Sequence, residues 1–209
     1  MTLYAATTNP GKLAEFADCA RGNDIEVLAL PHLATLPEPV EDALTFMGNA
    51  ELKAIAYSLA SPDMLVFADD SGLEVDALGT PERAEPGVRS ARFADDQGFD
   101  LDSGASKDAR NNACLLAKLA QLPEARRTAR FVCALALAYE GQILLNATGT
   151  VEGEILTEPR GRLGFGYDPL FLVPKLSLTL AELPPDWKWK VGHRGNAFRN
   201  LLLQIEDLA

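Results

Sequence analysis

Leu3-Tyr4-Ala5-Ala6-Thr7-Thr8-Asn9-Pro10-Gly11-Lys12 opens the chain on a short apolar run that gives way to polar residues and a proline. The run predicts a strand over 3–6. Asn9 then offers a capping side chain and Pro10 suits a first helical position, so a helix is predicted from Pro10 to about residue 20. Strand, turn and helix in that order is the opening unit of an α/β fold. Unpaired backbone N–H groups and the dipole at a helix start favour an anion, and Lys12 adds a point charge. Thr7, Thr8, Asn9, Pro10, Gly11 and Lys12 are therefore a candidate phosphate-binding turn. The spacing is not GxxxxGK[ST], which excludes a P-loop.

Outward from this unit, 25–30 reads as a second strand, and 30–40, with Pro31, Pro37 and Pro39, as an exposed connection. Over 45–60 the apolar residues Phe46, Ala50, Ala54 and Tyr57 recur at helical spacing, while Thr45, Asn49 and Lys53 fall on an adjoining stripe. An apolar strand over 65–68 is predicted to end at Asp69-Asp70-Ser71-Gly72, with Gly72 permitting a sharp turn and 73–78 following as a second short strand. The Gly-, Pro-, Asp- and Arg-rich stretch 80–106 reads as loop, and 107–121 as helix. A hairpin is predicted over 129–139 and 142–151 about Glu140-Gly141, then a strand over 169–173 and a closing helix over 195–208. With no internal repeat or clear linker, 1–209 is read as one domain.

The composition agrees with a folded globular chain: 209 residues, 47% hydrophobic and 23% charged. Thirty Asp and Glu against nineteen Lys and Arg leave a net charge of -11. That charge opposes non-specific binding to nucleic acid or to an anionic membrane surface, so a polyphosphate ligand requires a local cationic pocket. Cys19, Cys114 and Cys133 lie far apart, without CxxC spacing, and suggest neither a disulfide framework nor a zinc site. The first residues lack the basic start and apolar run of a signal peptide. A reducing, cytoplasmic setting with no membrane anchor is the expectation.

Four further groups carry possible chemistry. Glu41 precedes the helix that presents Asn49 and Lys53 on one stripe, an arrangement suited to a metal ion plus a phosphate; Asn49 stands out because asparagine is a poor helix former. Asp69 and Asp70 are adjacent acids beside apolar residues, costly unless a cation or hydrogen bonds stabilise them, and strand geometry sends them to opposite faces. Magnesium uses one or two carboxylates with waters and substrate phosphates completing its shell, and Glu41, Asp69 and Asp70 supply that number. In the glycine-rich run Gly161 to Pro169, Phe165 or Tyr167 can stack on a base, or the run can be a hairpin loop with core aromatics. Finally Lys188, Lys190, His193 and Arg194 form a basic cluster without a carboxylate between Trp187 and Gly195, able to donate to phosphate or to a purine carbonyl.

Taken together, TTNPGKLAE, EDALTFMGNAELKA, ADDSGLEVDALG, PGVRSARFA, GFGYDPLF, AEL and GHRGNA, in this order, closely resemble the inosine/xanthosine triphosphate pyrophosphatase family. The match runs from Thr7 to about Arg199. The resemblance implies a mixed α/β fold, an elongated sheet with two lobes around a central nucleotide-binding cleft, and a homodimer. It implies magnesium-dependent hydrolysis of ITP, dITP and XTP to the monophosphate and pyrophosphate. By the same resemblance, Asp70 is the proton acceptor and, with Glu41 and Asp69, a metal-associated acid. Thr7 to Lys12 then form the phosphate-binding turn, Lys53 and Ser71 make further substrate contacts, and Phe165, Gly166, Tyr167, Asp168, Lys188, His193 and Arg194 surround base and sugar. The chain departs from the pattern at Gly192, where serine is common, at Ala43, where glycine is common, and over 80–85, which reads as a short insertion. A non-catalytic nucleotide sensor, or hydrolysis of another modified nucleotide, are the competing readings of the same residues.

Overall fold

The computed structural model describes residues 1–21, 24–80, 83–100, 104–122 and 126–206. Its elements form a mixed α/β fold around one eight-stranded sheet. The strands are β1 (Thr2–Ala5), β2 (Glu26–Ala29), β3 (Val66–Thr80), β4 (Arg83–Pro86), β5 (Thr128–Tyr139), β6 (Gln142–Ile155), β7 (Phe171–Val173) and β8 (Leu178–Thr179). The helices are α1 (Pro10–Ala20), α2 (Phe46–Leu59), α3 (Phe93–Asp96), α4 (Lys107–Ala120), α5 (Pro185–Val191) and α6 (His193–Glu206). Spatial order is β2-β1-β3-β5-β6-β7-β8, with β4 paired to β3.

The chain divides into two compact units. The first comprises Met1–Ser71, Val132–Thr150 and Trp189–Ala209. In it β1 pairs in parallel with β2 and with β3, in the register Tyr4↔Val66 and Ala5↔Phe67. Parallel strands need crossover connections, and α1 and α2 lie in those crossovers. The fully buried Leu3, Ala5, Phe16, Phe67, Leu135 and Phe198 make its core, with the Phe16 ring edge-on to Phe67 at 5.2 Å between centroids. Aromatic pairs of this geometry add to simple burial.

The second unit comprises Gly72–Phe131 and Val151–Lys188. Here Asn111 ties α4 to the preceding short helices, accepting from the Ala94 N–H at 2.9 Å and donating to the Ala91 carbonyl at 3.2 Å. Phe131 and Phe171 pack with centroids 4.8 Å apart.

Three expectations need correction. The strand at 65–68 does not stop at the acid pair: β3 runs unbroken for 15 residues, so Asp69, Asp70 and Gly72 are strand residues and Gly72 makes no turn. Pairing with β5 carries the strand through a locally turn-like sequence; in the second unit Arg130 of β5 reaches Glu74 at 3.1 Å and Asp76 at 2.7 Å on β3. The stretch 80–106 is not all loop: β4, a 3-10 helix over Gly87–Arg92 and α3 occupy much of it, while 81–82 of the expected insertion lie outside the described residues. Third, α5 and β8 carry no signal in the sequence reading, and the last helix begins at His193 rather than at 195, with residues 207–208 outside the described part.

Candidate active site

The register of β1 against β3 builds the site. The Ala6 N–H donates to the Phe67 carbonyl at 2.8 Å, and just past that bond one segment leads into Thr7-Thr8-Asn9 and the other into Asp69-Asp70-Ser71, with Lys12 of the turn reaching Asp69. A polar turn and an acid pair 57 positions apart are thereby adjacent. Ligands of α/β sheets gather at the carboxyl ends of parallel strands, which is where this junction lies.

Asn9 is the cap of α1. Its side chain accepts from the Gly11 and Lys12 N–H groups at 2.9 and 3.2 Å, and its own N–H donates to Thr7 Oγ1 at 3.2 Å. The helix start thus spends two of its free donors on its own cap, and Pro10 and Gly11 are exposed. What the turn offers inward is Lys12, whose Nζ lies 2.7 Å from Asp69 Oδ2.

On the other side of this group, Lys53 of α2 approaches Glu41 Oε2 at 3.0 Å and Asp70 Oδ1 at 3.9 Å. Burial would lower the Lys53 pKa, but the carboxylates of Asp69, Asp70 and Glu41 outweigh it and hold the ammonium above its usual value. Asn49 donates to Asp70 Oδ2 at 3.0 Å, and the Ser71 N–H donates to Asp70 Oδ1 at 3.0 Å.

The two adjacent acids differ sharply. Asp69 is 5% exposed. Its desolvation, which would raise the carboxyl pKa, is overcome by Lys12, Arg194 and Lys53, and the net result is a lowered pKa. Asp70 is half-buried. Its burial raises the carboxyl pKa, Lys53 and Asn49 only partly oppose this, and Glu41 and Asp69 add to it.

Arg194, on the first turn of α6, donates to Ser71 Oγ at 3.0 Å and faces Glu15 at 3.5 Å; Ser71 Oγ in turn lies 3.4 Å from Asp69 Oδ2. The side chain of Arg194 is therefore part of the charge network around the acids. His193 opens the same helix and is 3% exposed.

A pocket of about 340 Å³ in the first unit is lined by Thr7, Thr8, Lys12, Glu41, Lys53 and Asp69 among others. Asp70 flanks this lining through Lys53 rather than joining it. Glu38, Tyr57 and the apolar Leu33, Ala34 and Leu36 complete the wall. None of these five was read as a site residue from sequence: Tyr57 was placed only on the apolar stripe of its helix, and Glu38 lies between two prolines in the stretch read as a connection. Among the described residues, no group of three or more His, Cys, Asp and Glu side chains forms a cage of its own.

The remaining candidates lie in the second unit. Lys188 Nζ sits 2.7 Å from Asp168 Oδ2, both side chains nearly excluded from solvent. The same Asp168 oxygen accepts the Phe165 N–H at 2.9 Å, and Lys188 lies over the Phe165 ring, 4.8 Å from its centroid. Gly164 adopts φ +76, and a Cβ there would run into the Asp168 carboxylate, so glycine is required on both counts. Gly166 bridges to α4, donating to Asp108 Oδ2 at 2.7 Å and accepting from Asn112 at 3.0 Å. Tyr167 is 4% exposed and donates its hydroxyl to the Ser90 carbonyl at 2.8 Å. Of the two aromatics offered for stacking, Tyr167 is thus committed to the unit's interior and Phe165 is the half-buried one.

Comparison with known proteins gives this arrangement a lineage. The Ham1 family model matches residues 3–204. The chain is 46% identical over 205 residues to the dITP/XTP pyrophosphatase of Acidobacterium capsulatum, covering 98% of each. It is 48% identical over 201 residues to that of Nitratidesulfovibrio vulgaris, covering 96% of this chain and 94% of the relative. Among solved structures, a HAM1 protein from Coxiella burnetii superposes with a TM-score of 0.83 at 34% identity, over 99% of both chains. The Ham1 protein of Staphylococcus aureus gives 0.81 at 36% identity over the full length of both. The chain belongs to the Ham1 family.

Proposed function

We propose that this protein hydrolyses non-standard purine nucleoside triphosphates, ITP, dITP and XTP, to the nucleoside monophosphate and pyrophosphate, clearing them from the nucleotide pool. The observation that carries the reading is the Lys12–Asp69 and Lys53–Glu41–Asp70 group in the first unit, in a chain similar over its whole length to dITP/XTP pyrophosphatases.

A divalent cation fits this donor set. Glu41 and Asp70 both turn hard carboxylate oxygens toward Lys53, and magnesium ordinarily takes one or two such groups with phosphate oxygens and waters. Glu41, Asp69 and Asp70 would hold it, and when bound it would neutralise phosphate charge and favour the leaving of pyrophosphate. The chain's own residues do the rest. Lys12 and Lys53, now engaged by carboxylates, exchange to phosphate oxygens, and Thr7, Thr8 and Ser71 offer hydroxyls. Asp70 accepts the proton of a water that attacks the α-phosphorus. The new P–O bond forms as the bond to the α–β bridging oxygen breaks, and the electron pair leaves with pyrophosphate. The raised affinity of Asp70 for a proton suits it to this role better than its neighbour.

The base-recognition part of the proposal assigns His193 and Arg194 to donate toward a purine 6-oxygen. Phe165, Gly166, Tyr167, Asp168 and Lys188 are assigned to base and sugar, each on the family resemblance. A donor aimed at a 6-oxygen meets the amino group of ATP as a mismatch, and mismatches of buried hydrogen-bonding groups discriminate strongly. We also propose a cytoplasmic homodimer. The free thiols of Cys114 and Cys133, both buried, suit a reducing compartment, and no described helix is long and apolar enough to cross a membrane.

A panel of ITP, dITP, XTP, GTP and ATP, assayed for pyrophosphate with and without magnesium, tests the reading. Pyrophosphate from the first three, dependent on magnesium and much faster than from ATP, supports it. Equal rates with ATP overturn the base assignment, and binding without turnover makes the protein a sensor.

A further inference from the structure

Asn49 is the one asparagine of α2, buried to 2% exposure in a helix where that residue type lowers stability. Both ends of its amide are used. The Oδ1 accepts the Ala43 N–H at 3.0 Å, and the Nδ2 donates to Asp70 Oδ2 at 3.0 Å. Ala43 stands two residues after Glu41, so a single side chain ties the loop carrying one acid to the strand carrying the other.

The fit around it is close. A Cβ on Gly48, in the first turn of α2, would meet the Ala43 methyl at 2.7 Å. The loop is thus pressed onto the helix start, which brings the Ala43 N–H within reach of Asn49. An N–H needs an acceptor and a carboxylate needs a donor, and the asparagine amide supplies one of each from two separate atoms held in one plane. With Asn49 on one oxygen and the Ser71 N–H on the other, the Asp70 carboxylate is fixed in rotation.

We infer that Asn49 is a positioning residue: it sets the orientation of the Asp70 carboxylate and the spacing between Asp70 and the Glu41 loop. This rests on the reading of Asp70 and Glu41 given under Proposed function. Groups that orient metal-associated carboxylates act through the carboxylate, so their loss lowers activity and cation affinity without removing a substrate contact.

Two variants separate the two bonds. Asn49→Asp keeps an acceptor for Ala43 but sets an oxygen against Asp70; Asn49→Leu removes both bonds while keeping the branching at Cγ. For each, kcat and KM for dITP and the Mn2+ affinity of the free protein, read by electron paramagnetic resonance, are compared with wild type. The expected result is a fall of about 10- to 100-fold in kcat and in Mn2+ affinity for both variants, with KM within about threefold. Should Asn49→Leu fail to fold, Asn49→Ser, too short to reach Asp70, takes its place. Wild-type kcat and Mn2+ affinity in folded Asn49→Asp would overturn the inference, as would a rise in KM alone. If wild-type protein releases no pyrophosphate from dITP, the parent reading has failed, and the Mn2+ comparison alone then decides the role of Asn49.

Discussion

Each of the two units holds a lysine–aspartate pair with the same 2.7 Å separation, Lys12–Asp69 in the first and Lys188–Asp168 in the second, and the surroundings differ. Around Asp168 the partners are a backbone N–H and one lysine, so its charge is matched and its oxygen pins a glycine-rich loop. Around Asp69 stand Lys12, Arg194 and Lys53, with Asp70 and Glu41 competing for the last of these. The second pair is a closed clamp. The first belongs to a network with more carboxylates than it can satisfy equally, and the shortfall falls on Asp70, whose charged form is less favoured there than it is in water. Distance alone does not separate a clamp from a poised site; the charges around the pair do.

The largest expected effect is on chemistry. Asp70→Asn should lower kcat for dITP by about 10²- to 10⁴-fold, the range for loss of a general base, while equilibrium binding of dITP persists. Rapid-quench kinetics with a binding isotherm measure both, and a normal kcat would erase the distinction between the two regions.

A stability experiment addresses the clamp. Asp168→Ala leaves the buried Lys188 ammonium without its carboxylate and should cost about 3–5 kcal/mol in urea unfolding. Asp168→Leu combined with Lys188→Met should recover most of that loss, because a buried pair is often replaceable by apolar groups of similar volume. A single substitution that is neutral would show that Lys188 is not committed to Asp168.

How much of this was readable from sequence follows from the kind of force involved. The helices over Pro10–Ala20, Phe46–Leu59 and Lys107–Ala120 and the hairpin of β5 and β6 follow from local spacing, caps and turn residues, and were legible. The continuation of β3 through Asp69-Asp70-Ser71-Gly72 was not, because the sequence there is turn-like and the strand persists by pairing with β5, far along the chain. The same limit applies to the site. Its charged residues could be listed, and Asn49 announced itself by its poor helix propensity. Yet nothing local matches Lys12 with Asp69 or Lys53 with Glu41, since those pairings arise from the register of β1 on β3 and the placement of α2. Glu38 and Leu36 joined the pocket wall with no local signal at all.

Smaller effects come from pH, and the two acids should differ in sign. Asp69 has a folded pKa below its unfolded one, so its contribution to stability is present above the unfolded value, about 3.9, and is lost as pH falls through the folded value. Asp70 has a folded pKa above its unfolded one, so its contribution is present below the unfolded value and is lost as pH rises through the folded value. At neutral pH, then, Asp69→Asn should lower the midpoint of thermal unfolding and Asp70→Asn should raise it. Calorimetry of both variants at pH 7 checks this, and shifts of the same sign would contradict the division of labour between them.

The central claim is that a water attacks the α-phosphorus at the site of Asp70. Hydrolysis of dITP in water enriched in oxygen-18, followed by mass spectrometry of the products, reads it directly. The account predicts label in the nucleoside monophosphate and none in pyrophosphate; label in pyrophosphate, or in free phosphate, would contradict it.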